Sequence, residues 1–318
     1  MKLLLCLFLV TAGSAYALET DNYLSWGLDL PDSTEDLNGY FKSQIAEVLE
    51  SAPVGKSQTC EQVTFSIANR FKTGVQGEVF VNWSTKNHPD KIFPATDRYL
   101  EESIYSETPV LLLRHAPLAP NMQAGGIYFG VDKLSHFAST GRRYFKEYLS
   151  EIKKGRSVEE AENSAIHLGL SNEAGILGIW ASGVFSYGDL EANYQGLRFY
   201  RKICHDENDS YLEQVEGRWK MKKTPEISDF VNPFWDETFN LSYREPRTWA
   251  IASKVLLEEY CPMKENKNVL LRFKHYQEVA KKSRSMTYIE VLQVSGHKQA
   301  PVPSENQSFE QLCLQPPF

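Results

Sequence analysis

Apolar residues recur every three or four positions through most of this chain, and that spacing places them on one face of a helix. Ser33 and Asp36 form a predicted capping box, and the apolar spacing then runs from Leu37 to Leu49. A second, shorter helix is predicted after Cys60. The pattern therefore predicts a mainly α-helical globular domain with a few short strands.

The clearest helical pattern lies in the central block, residues 127–203. One helix is predicted from about residue 132 to residue 154, and it should end at Gly155, because glycine is common just past a helix end. Two more capping boxes mark the starts of the next two predicted helices, Ser157 with Glu160 and Ser186 with Asp189.

Strands are predicted in only a few places. The alternating stretch GEVFVNW favours a strand or hairpin within residues 74–96, and VLLLRH, residues 110–115, favours a buried strand. Residues 116–126, APLAPNMQAGG, are predicted to form a loop because they are rich in proline and glycine. GRWKMKK, residues 217–223, is predicted to be a short strand.

The C-terminal third contains two further predicted helices. Pro246 is expected in the first turn of one of them, because its fixed φ suits that position. NVLLRFKHYQEVAKK, residues 268–282, is predicted to be the other. The tail from Lys298 onward is rich in proline and is predicted to be extended.

The amino terminus has the pattern of a secretory signal peptide. Lys2 precedes a short apolar run, and Ala15 and Ala17 supply small residues for cleavage, which is predicted after Ala17. The protein is therefore expected to be secreted or periplasmic, without membrane insertion after cleavage. The expected organisation is a signal peptide at 1–17, an N-terminal helical region with a short hairpin at 18–126, a core helical domain at 127–298 and a proline-rich tail at 299–318.

Cysteine content and net charge favour a disulfide-bonded protein that does not bind nucleic acid. An even number of cysteines after the predicted cleavage position favours two disulfides, with three pairings open, and the four residues are Cys60, Cys204, Cys261 and Cys313. The chain has 34 basic and 41 acidic residues, a net charge of −7, so its surface as a whole does not attract nucleic acid. We expect a monomer with no nucleic-acid partner and no cofactor.

A row of polar residues follows one side of the predicted helix 132–154. Asp132, His136, Thr140 and Arg143 are separated by steps of four, four and three. An aspartate four residues before a histidine can fix the ring tautomer or share a metal ion with it. It can equally be an aspartate that interacts with the helix dipole and bonds the histidine.

Glu173 is the leading catalytic candidate. It lies near the end of a predicted helix within a stretch of glycine, alanine and aliphatic residues, 169–178. Such small residues let backbones approach closely, so the carboxyl loses water and its pKa rises. A carboxyl that keeps its proton at neutral pH can act as a general acid. The alternative is a carboxylate that bonds a neighbouring backbone group or pairs with Arg143.

Several residues after Glu173 could complete a hydrolytic site. Ser186 and Asp189 are explained by helix capping, but Asp189 could also stabilise or attack the face of a sugar opposite Glu173. A water held by Ser186 and Asn193 could do the same. Aromatic residues that could line a sugar-binding groove, or could equally belong to the core, are Tyr187, Tyr194 and Trp235.

These motifs together resemble an uncharacterised family of secreted bacterial proteins. The shared marks, which span roughly residues 130–244, are a D-K-x-x-H-F helix start at 132–137, a G-V-x-S-Y-x-D-L-x-A-N segment at 183–193 and a W-D-E-x-x-N motif at 235–240. A looser similarity is to lysozyme-like proteins, in which a catalytic glutamate ends a helix before a glycine-rich turn and another helix. The chain departs from that pattern because Asp189 follows Glu173 by sixteen residues.

The sequence therefore predicts an exported glycan hydrolase that cleaves peptidoglycan or a related amino-sugar polymer, with a cell-wall glycan as its partner. Glu173 would be the general acid, with Asp189 and His136 as the other catalytic candidates and no metal ion. One alternative is a metal-dependent hydrolase whose ligands are Asp132, His136, Glu173 and Asp189. Another is a non-catalytic envelope protein whose buried polar cluster fixes helix packing.

Overall fold

The computed structural model describes residues 19–52, 58–71, 78–94, 102–107, 118–175, 178–206, 208–303 and 312–313. Within these ranges the protein is mainly α-helical with short two-stranded sheets, which confirms the predicted fold class. The signal peptide predicted at 1–17 and the strand predicted at 110–115 lie outside the described residues.

Helix α8 lies at the centre of the helical packing and contacts α2, α4, α5, α6 and α11. The helices are α1 Thr34–Glu50, α2 Cys60–Arg70, α3 Glu78–Asn87, α4 Asp132–Ser135, α5 Gly141–Lys153, α6 Val158–Glu173, α7 Ile179–Ser182, α8 Tyr187–Cys204, α9 Pro246–Val255, α10 Lys267–Val279 and α11 Arg284–Val294. A π-helical turn, His136–Thr140, joins α4 to α5 without a break, and another, Leu256–Tyr260, continues α9.

The described residues form three antiparallel pairs of short strands. The pairs are β1 Asn121–Ala124 with β2 Ile127–Gly130, β3 Val184–Phe185 with β6 Tyr243–Arg244, and β4 Leu212–Val215 with β5 Arg218–Met221. In the second pair Val184 lies opposite Arg244, so the strand just before α8 is joined to a segment sixty positions later. Single 3₁₀ turns lie at Asn22–Ser25, Ile227–Asp229, Pro233–Trp235 and Cys261–Glu265.

Two of the three predicted capping boxes act as helix starts. Ser157 accepts a hydrogen bond from the Glu160 N–H, and the Glu160 carboxylate accepts one from the Ser157 N–H. Ser186 accepts a hydrogen bond from the Asp189 N–H at 3.0 Å. Ser33 precedes α1, but its side chain makes no capping bond, so the first box was wrong although its helix is present.

Two predictions of secondary structure were wrong. Residues 78–87 form helix α3 where a strand or hairpin was predicted. The apolar positions of GEVFVNW fit both periods, and Phe80 and Ser84, four residues apart, are both buried. Residues 121–124 form strand β1 where a loop was predicted, and all four are buried.

The larger hydrophobic core extends through both halves of the chain. Phe41 of α1 and Ile67 of α2 belong to the same buried cluster as Phe137, Phe199 and Trp235. The Phe137 ring lies 5.7 Å from that of Phe41 and 5.2 Å from that of Phe199. This core crosses the domain boundary at 126/127, which stays a prediction.

Two disulfides fix the pairing that the sequence left open. Cys60 bonds Cys204, which ties the start of α2 to the end of α8, and Cys261 bonds Cys313. Disulfides are typical of proteins that fold in an oxidising compartment outside the cytoplasm. Among the described residues, no helix has the length and apolar character needed to cross a bilayer.

Candidate functional site

A buried lysine, Lys133, lies among three carboxylates. Its Nζ is 2.8 Å from Asp132 Oδ2, 2.7 Å from Asp189 Oδ1 and 2.6 Å from Glu237 Oε1. Burial disfavours the charged ammonium group, but the three carboxylates outweigh it and raise the pKa of Lys133 well above its ordinary value. Lys133 is therefore a cation that partly neutralises a buried acidic group.

Helix starts and turns bring these side chains together. Asp132 and Lys133 open α4 directly after β2, and Asp189 lies in the first turn of α8. Glu237 follows the 3₁₀ turn Pro233–Trp235, and its Oε1 accepts a hydrogen bond from Ser186 Oγ at 2.8 Å. Ser186, which caps α8, thus also bonds Glu237, the acid of this group that lies furthest along the chain.

His136 connects α4 to the side of α8. Its Nε2 lies 3.1 Å from Asp189 Oδ2, and its Nδ1 lies 3.2 Å from Asn193 Oδ1. Burial raises the pKa of Tyr144, whose hydroxyl has no hydrogen-bond partner among the described residues. An amide oxygen can only accept, so the contact with Asn193 Oδ1 requires the hydrogen on His136 Nδ1.

Close helix packing allows this contact. A Cβ atom on Gly141 would lie 2.6 Å from Gly196 Cα, and one on Gly196 would lie 1.9 Å from the Phe137 carbonyl oxygen. Glycine at both positions lets α5 and the π-helical turn approach α8 backbone to backbone. The π-helical turn begins at His136, and such turns are frequent at functional sites.

Glu173, the last residue of α6, is 3 % exposed. Burial raises the pKa of its carboxyl well above the ordinary value, and the charges of Asp189 and Glu19 raise it further. The Ser186 N–H and Lys133 oppose this rise only in part. Glu173 therefore keeps its proton to a higher pH than an ordinary glutamate does.

Asp189 is 4 % exposed and is shifted in the opposite direction. Burial alone would raise its pKa, but the positive charges of His136 and Lys133 outweigh burial and lower it. Two neighbouring buried carboxyls, Glu173 and Asp189, thus have pKa values moved apart. This is the arrangement in which one holds a proton while the other is ionised.

A fifth carboxyl, Glu19, faces the same group. Glu19 is partly buried, and the loss of water and the charges of Glu237 and Asp189 raise its pKa well above the ordinary value, against a hydrogen bond from Ser182. Three acids therefore contact Lys133, and Glu19 and Glu173 interact with it at longer range. The surplus negative charge must be met by protons or cations. We call this set the Lys133 cluster: Glu19, Asp132, Lys133, His136, Glu173, Asp189 and Glu237.

Part of the Lys133 cluster has the geometry of a metal site. Asp132, His136 and Asp189 each offer a buried ligand atom, and these atoms lie within 4.8 Å of one another. Among the described residues, Asp132 Oδ1 has no hydrogen-bond partner. Oxygen and imidazole ligands suit a divalent ion such as Zn²⁺ or Mn²⁺. The residues fit such an ion, although the nearby charge of Lys133 would weaken its binding.

A second buried ion pair, Arg272–Asp236, lies outside the Lys133 cluster. Asp236 Oδ2 accepts hydrogen bonds from Arg272 Nε at 3.0 Å and from the Tyr276 hydroxyl at 2.9 Å. Asp236 Oδ1 accepts from the Thr238 N–H at 2.9 Å, and the Arg272 guanidinium lies 4.1 Å from the Tyr128 ring centroid. One positive charge here meets one negative charge, and both carboxylate oxygens are bonded.

The residues predicted to line a groove do not lie together in the structure. Trp235 is fully buried and packs against Phe129 and Phe137, with ring centroids 5.3 and 5.8 Å away, so of its two predicted roles it has the core one and does not line a groove. Tyr187 is also buried, and its hydroxyl donates to the Pro301 carbonyl. Arg143, at the end of the predicted polar row, is exposed and belongs to neither ion cluster.

Glu173, Asp189 and His136 line neither of two surface cavities that the described residues form. The first has a volume of 640 Å³ and includes Tyr194, the one predicted groove residue found beside a cavity. The second has a volume of 490 Å³ and is lined by aromatic residues, among them Tyr23 and Tyr260, and by three glutamates.

The sequence analysis did not assign a catalytic or metal-binding role to three members of the Lys133 cluster: Glu19, Lys133 and Glu237. Lys133 and Glu237 lie inside the D-K-x-x-H-F and W-D-E-x-x-N motifs, which was the signal available for them. Their contact joins residues 104 positions apart, so spacing along the chain does not reveal it. Glu19 follows the predicted signal peptide and carries no motif of its own.

Comparison of the chain with protein-family models, with curated proteins and with solved structures finds no match. The resemblance to a secreted bacterial family and the similarity to lysozyme-like proteins therefore stay predictions.

Proposed function

We propose that the Lys133 cluster is the active site of an exported hydrolase, with Glu173 as the general acid and Asp189 as its ionised partner. The observation that carries the proposal is that these two neighbouring carboxyls have pKa values shifted in opposite directions. An acid that holds its proton beside one that has lost it is what hydrolysis at neutral pH requires.

Each residue would have a defined part in the reaction. Glu173 gives its proton to the leaving oxygen as the bond between that oxygen and carbon breaks. Asp189 takes a proton from the attacking water, or stabilises positive charge at the reacting carbon. His136 and Lys133 keep Asp189 ionised until this step. Exchange with solvent then returns the proton to Glu173 and removes one from Asp189.

The charge of the Lys133 cluster favours a substrate that carries positive charge. Glu173 and Glu19 carry no charge while they hold their protons. The three carboxylates that contact Lys133 still outnumber it, which suits an amino-sugar polymer with free amines, such as partly deacetylated peptidoglycan. Both catalytic carboxyls are nearly fully buried, so productive binding has to expose them. Secretion or a periplasmic location, which two disulfides support, would give access to this polymer.

An exposed tryptophan near Glu173 supports a glycan substrate. Trp180 of α7 is 76 % exposed, and it follows Gly178 by two residues. Gly178 packs on the acid so closely that a Cβ atom there would lie 2.8 Å from Glu173 Oε2. An indole ring at this place could stack on a sugar face. Trp180 would thus take the part first assigned to Trp235.

Digestion of purified sacculi tests the proposal. The wild-type protein should release soluble muropeptides, faster from deacetylated than from acetylated material, and Glu173→Gln should abolish release. The matched control is Glu278→Gln, which removes the charge of an exposed glutamate on α10 and should keep full activity. If wild-type protein releases nothing while Glu173→Gln is folded and more stable, the cluster is structural and the proposal fails.

A metal-dependent hydrolase is the second candidate, and the unpartnered Asp132 Oδ1 favours it. Zn²⁺ or Mn²⁺ held by Asp132, His136 and Asp189 would activate the attacking water. Elemental analysis of purified protein, with loss of activity on chelation and its return with added metal, would support this candidate. Activity that survives exhaustive chelation would support the acid–base form.

A further inference from the structure

We propose that the 640 Å³ cavity beside α8 and α11 binds a small organic anion through a phosphate or carboxylate group. Four basic side chains line this cavity against one acid, Asp229, and they are Arg198, Lys281, Lys282 and Arg284. The protein as a whole has a net charge of −7, so this concentration of positive charge runs against its overall balance.

Two of the four cations are already paired. Lys282 Nζ lies 2.5 Å from Glu290, and the Arg284 guanidinium lies 3.0 Å from both Glu159 and Glu162. For the other two, Arg198 and Lys281, no carboxylate within the described part of the chain lies at ion-pair distance. Arg198 interacts with the buried Glu191 only at longer range, through Gln195, so neither cation is held in a direct ion pair and both can bind a ligand.

A buried relay orients Arg198. Glu191 is fully buried, and its Oε1 accepts a hydrogen bond from Gln195 Nε2 at 2.6 Å. This fixes the amide so that Gln195 Oε1 faces outward and accepts from Arg198 Nη1, also at 2.6 Å. The guanidinium is held near the Phe230 ring, 6.0 Å from its centroid, with its remaining N–H groups able to form the paired bonds that oxyanions prefer.

The same carboxylate organises two further lining residues. Glu191 Oε1 accepts from Asn232 Nδ2 at 2.9 Å, and its Oε2 accepts from Ser283 Oγ at 2.5 Å. Side chains from α8, from the segment before Pro233 and from the start of α11 are therefore held in fixed positions around the cavity. Because these hydrogen bonds already fix the lining side chains, little further ordering of them is needed when a ligand binds.

This site is separate from the Lys133 cluster. Asp189 and Asn193 face His136 from one side of α8, whereas Tyr194, Gln195 and Arg198 face the cavity. The proposal therefore does not depend on hydrolytic activity. It would hold for an enzyme and for a non-catalytic envelope protein alike.

Isothermal titration calorimetry with inorganic phosphate and with succinate tests the site. We expect saturable binding of at least one anion, weakened by added salt. Arg198→Gln should reduce the affinity at least tenfold, roughly the loss of one charge-assisted hydrogen bond. Lys281→Gln, at an exposed residue whose replacement does not threaten folding, should also reduce it. Preference for phosphate or for succinate identifies the anionic group.

The control is Lys146→Gln, which removes the charge of an exposed lysine on α5 away from the cavity and should leave binding unchanged. Two results would overturn the proposal. One is that neither anion binds the wild-type protein saturably. The other is that folded Arg198→Gln and Lys281→Gln proteins bind with the wild-type affinity.

Discussion

The Lys133 cluster and the Arg272–Asp236 pair are both buried sets of charges, and they differ in balance. In the pair, one guanidinium meets one carboxylate, and hydroxyl and backbone donors complete the bonding. The Lys133 cluster contains five acids, one lysine and one histidine, and the pKa values of Glu173 and Asp189 are moved apart. A buried ion pair with balanced charge needs no role beyond holding the fold together. A buried cluster with excess acids keeps some of them protonated, and such protons are available for acid catalysis.

The largest effect is expected when the cluster loses its lysine. Lys133→Met leaves Asp132, Asp189 and Glu237 without a shared cation, so the free energy of unfolding at pH 7 should fall by about 5 kcal/mol. The loss should shrink as pH falls, because the carboxyls then take up protons. Urea unfolding at pH 7 and pH 5 measures it, with Lys146→Met as the exposed control. A loss below about 1 kcal/mol would contradict the proposed charge imbalance.

A smaller loss of stability is expected when the Arg272–Asp236 pair loses its arginine. Arg272→Met leaves only one carboxylate, Asp236, unpaired and should cost about 3 kcal/mol. The double variant Arg272→Met, Asp236→Leu should recover most of that loss, because neither charge then remains buried. A double-mutant cycle by urea unfolding measures the coupling. If the double variant is as unstable as the single one, the pair does more than balance its own charge.

The two shifted carboxyls should show opposite pH dependence. The folded pKa of Glu173 is raised, so the stability linked to its proton is fully present below the ordinary carboxyl pKa and is lost as pH rises through the folded value. Glu173→Gln should therefore match the wild type near pH 4 and become more stable by about 1 kcal/mol or more at pH 8.

Asp189 has a lowered pKa, so its contribution is present above the ordinary carboxyl pKa and is lost as pH falls. Asp189→Asn should thus be less stable than the wild type at pH 7, with the difference shrinking in acid. Unfolding curves across pH 3 to 8 for both variants measure these trends. Parallel curves for the two variants would remove the basis for assigning Glu173 as the acid.

The smallest effect on stability is expected at the surface. Trp180 is exposed, so Trp180→Ala should change the free energy of unfolding by no more than about 0.5 kcal/mol. Its effect should appear instead as a higher KM in the digestion of sacculi, with kcat less affected. An unchanged KM would exclude Trp180 from substrate contact and leave the rest of the proposal standing.

Local signals predicted much of the helical structure. The boxes at Ser157 and Ser186 and the proline at position 246 act within one helical turn, and each starts a helix. GEVFVNW was misread because its apolar positions fit both a strand and a helix, and packing of Phe80 decided between them. The hairpin at 121–130 was missed because its residues were read as a proline- and glycine-rich loop.

The candidate site was only partly predictable, for a related reason. His136, Glu173 and Asp189 stand out from their own helices, and the structure brings all three into the Lys133 cluster. Lys133 and Glu237 meet across 104 positions, and a single sequence does not specify such a contact. Trp235 looked suited to a groove because polar residues follow it, but the packing of Phe129 and Phe137 buries it.

The glycine contact between α5 and α8 has a consequence for the site some distance away. His136 and Asp189 stand on opposite sides of the junction where Gly141 meets Gly196, so the gap between imidazole and carboxylate is set by how near two backbones can come. A single methyl group at either glycine would push the two backbones apart and move the His136 ring away from Asp189. Two residues without side chains thus set the dimensions of the acidic centre.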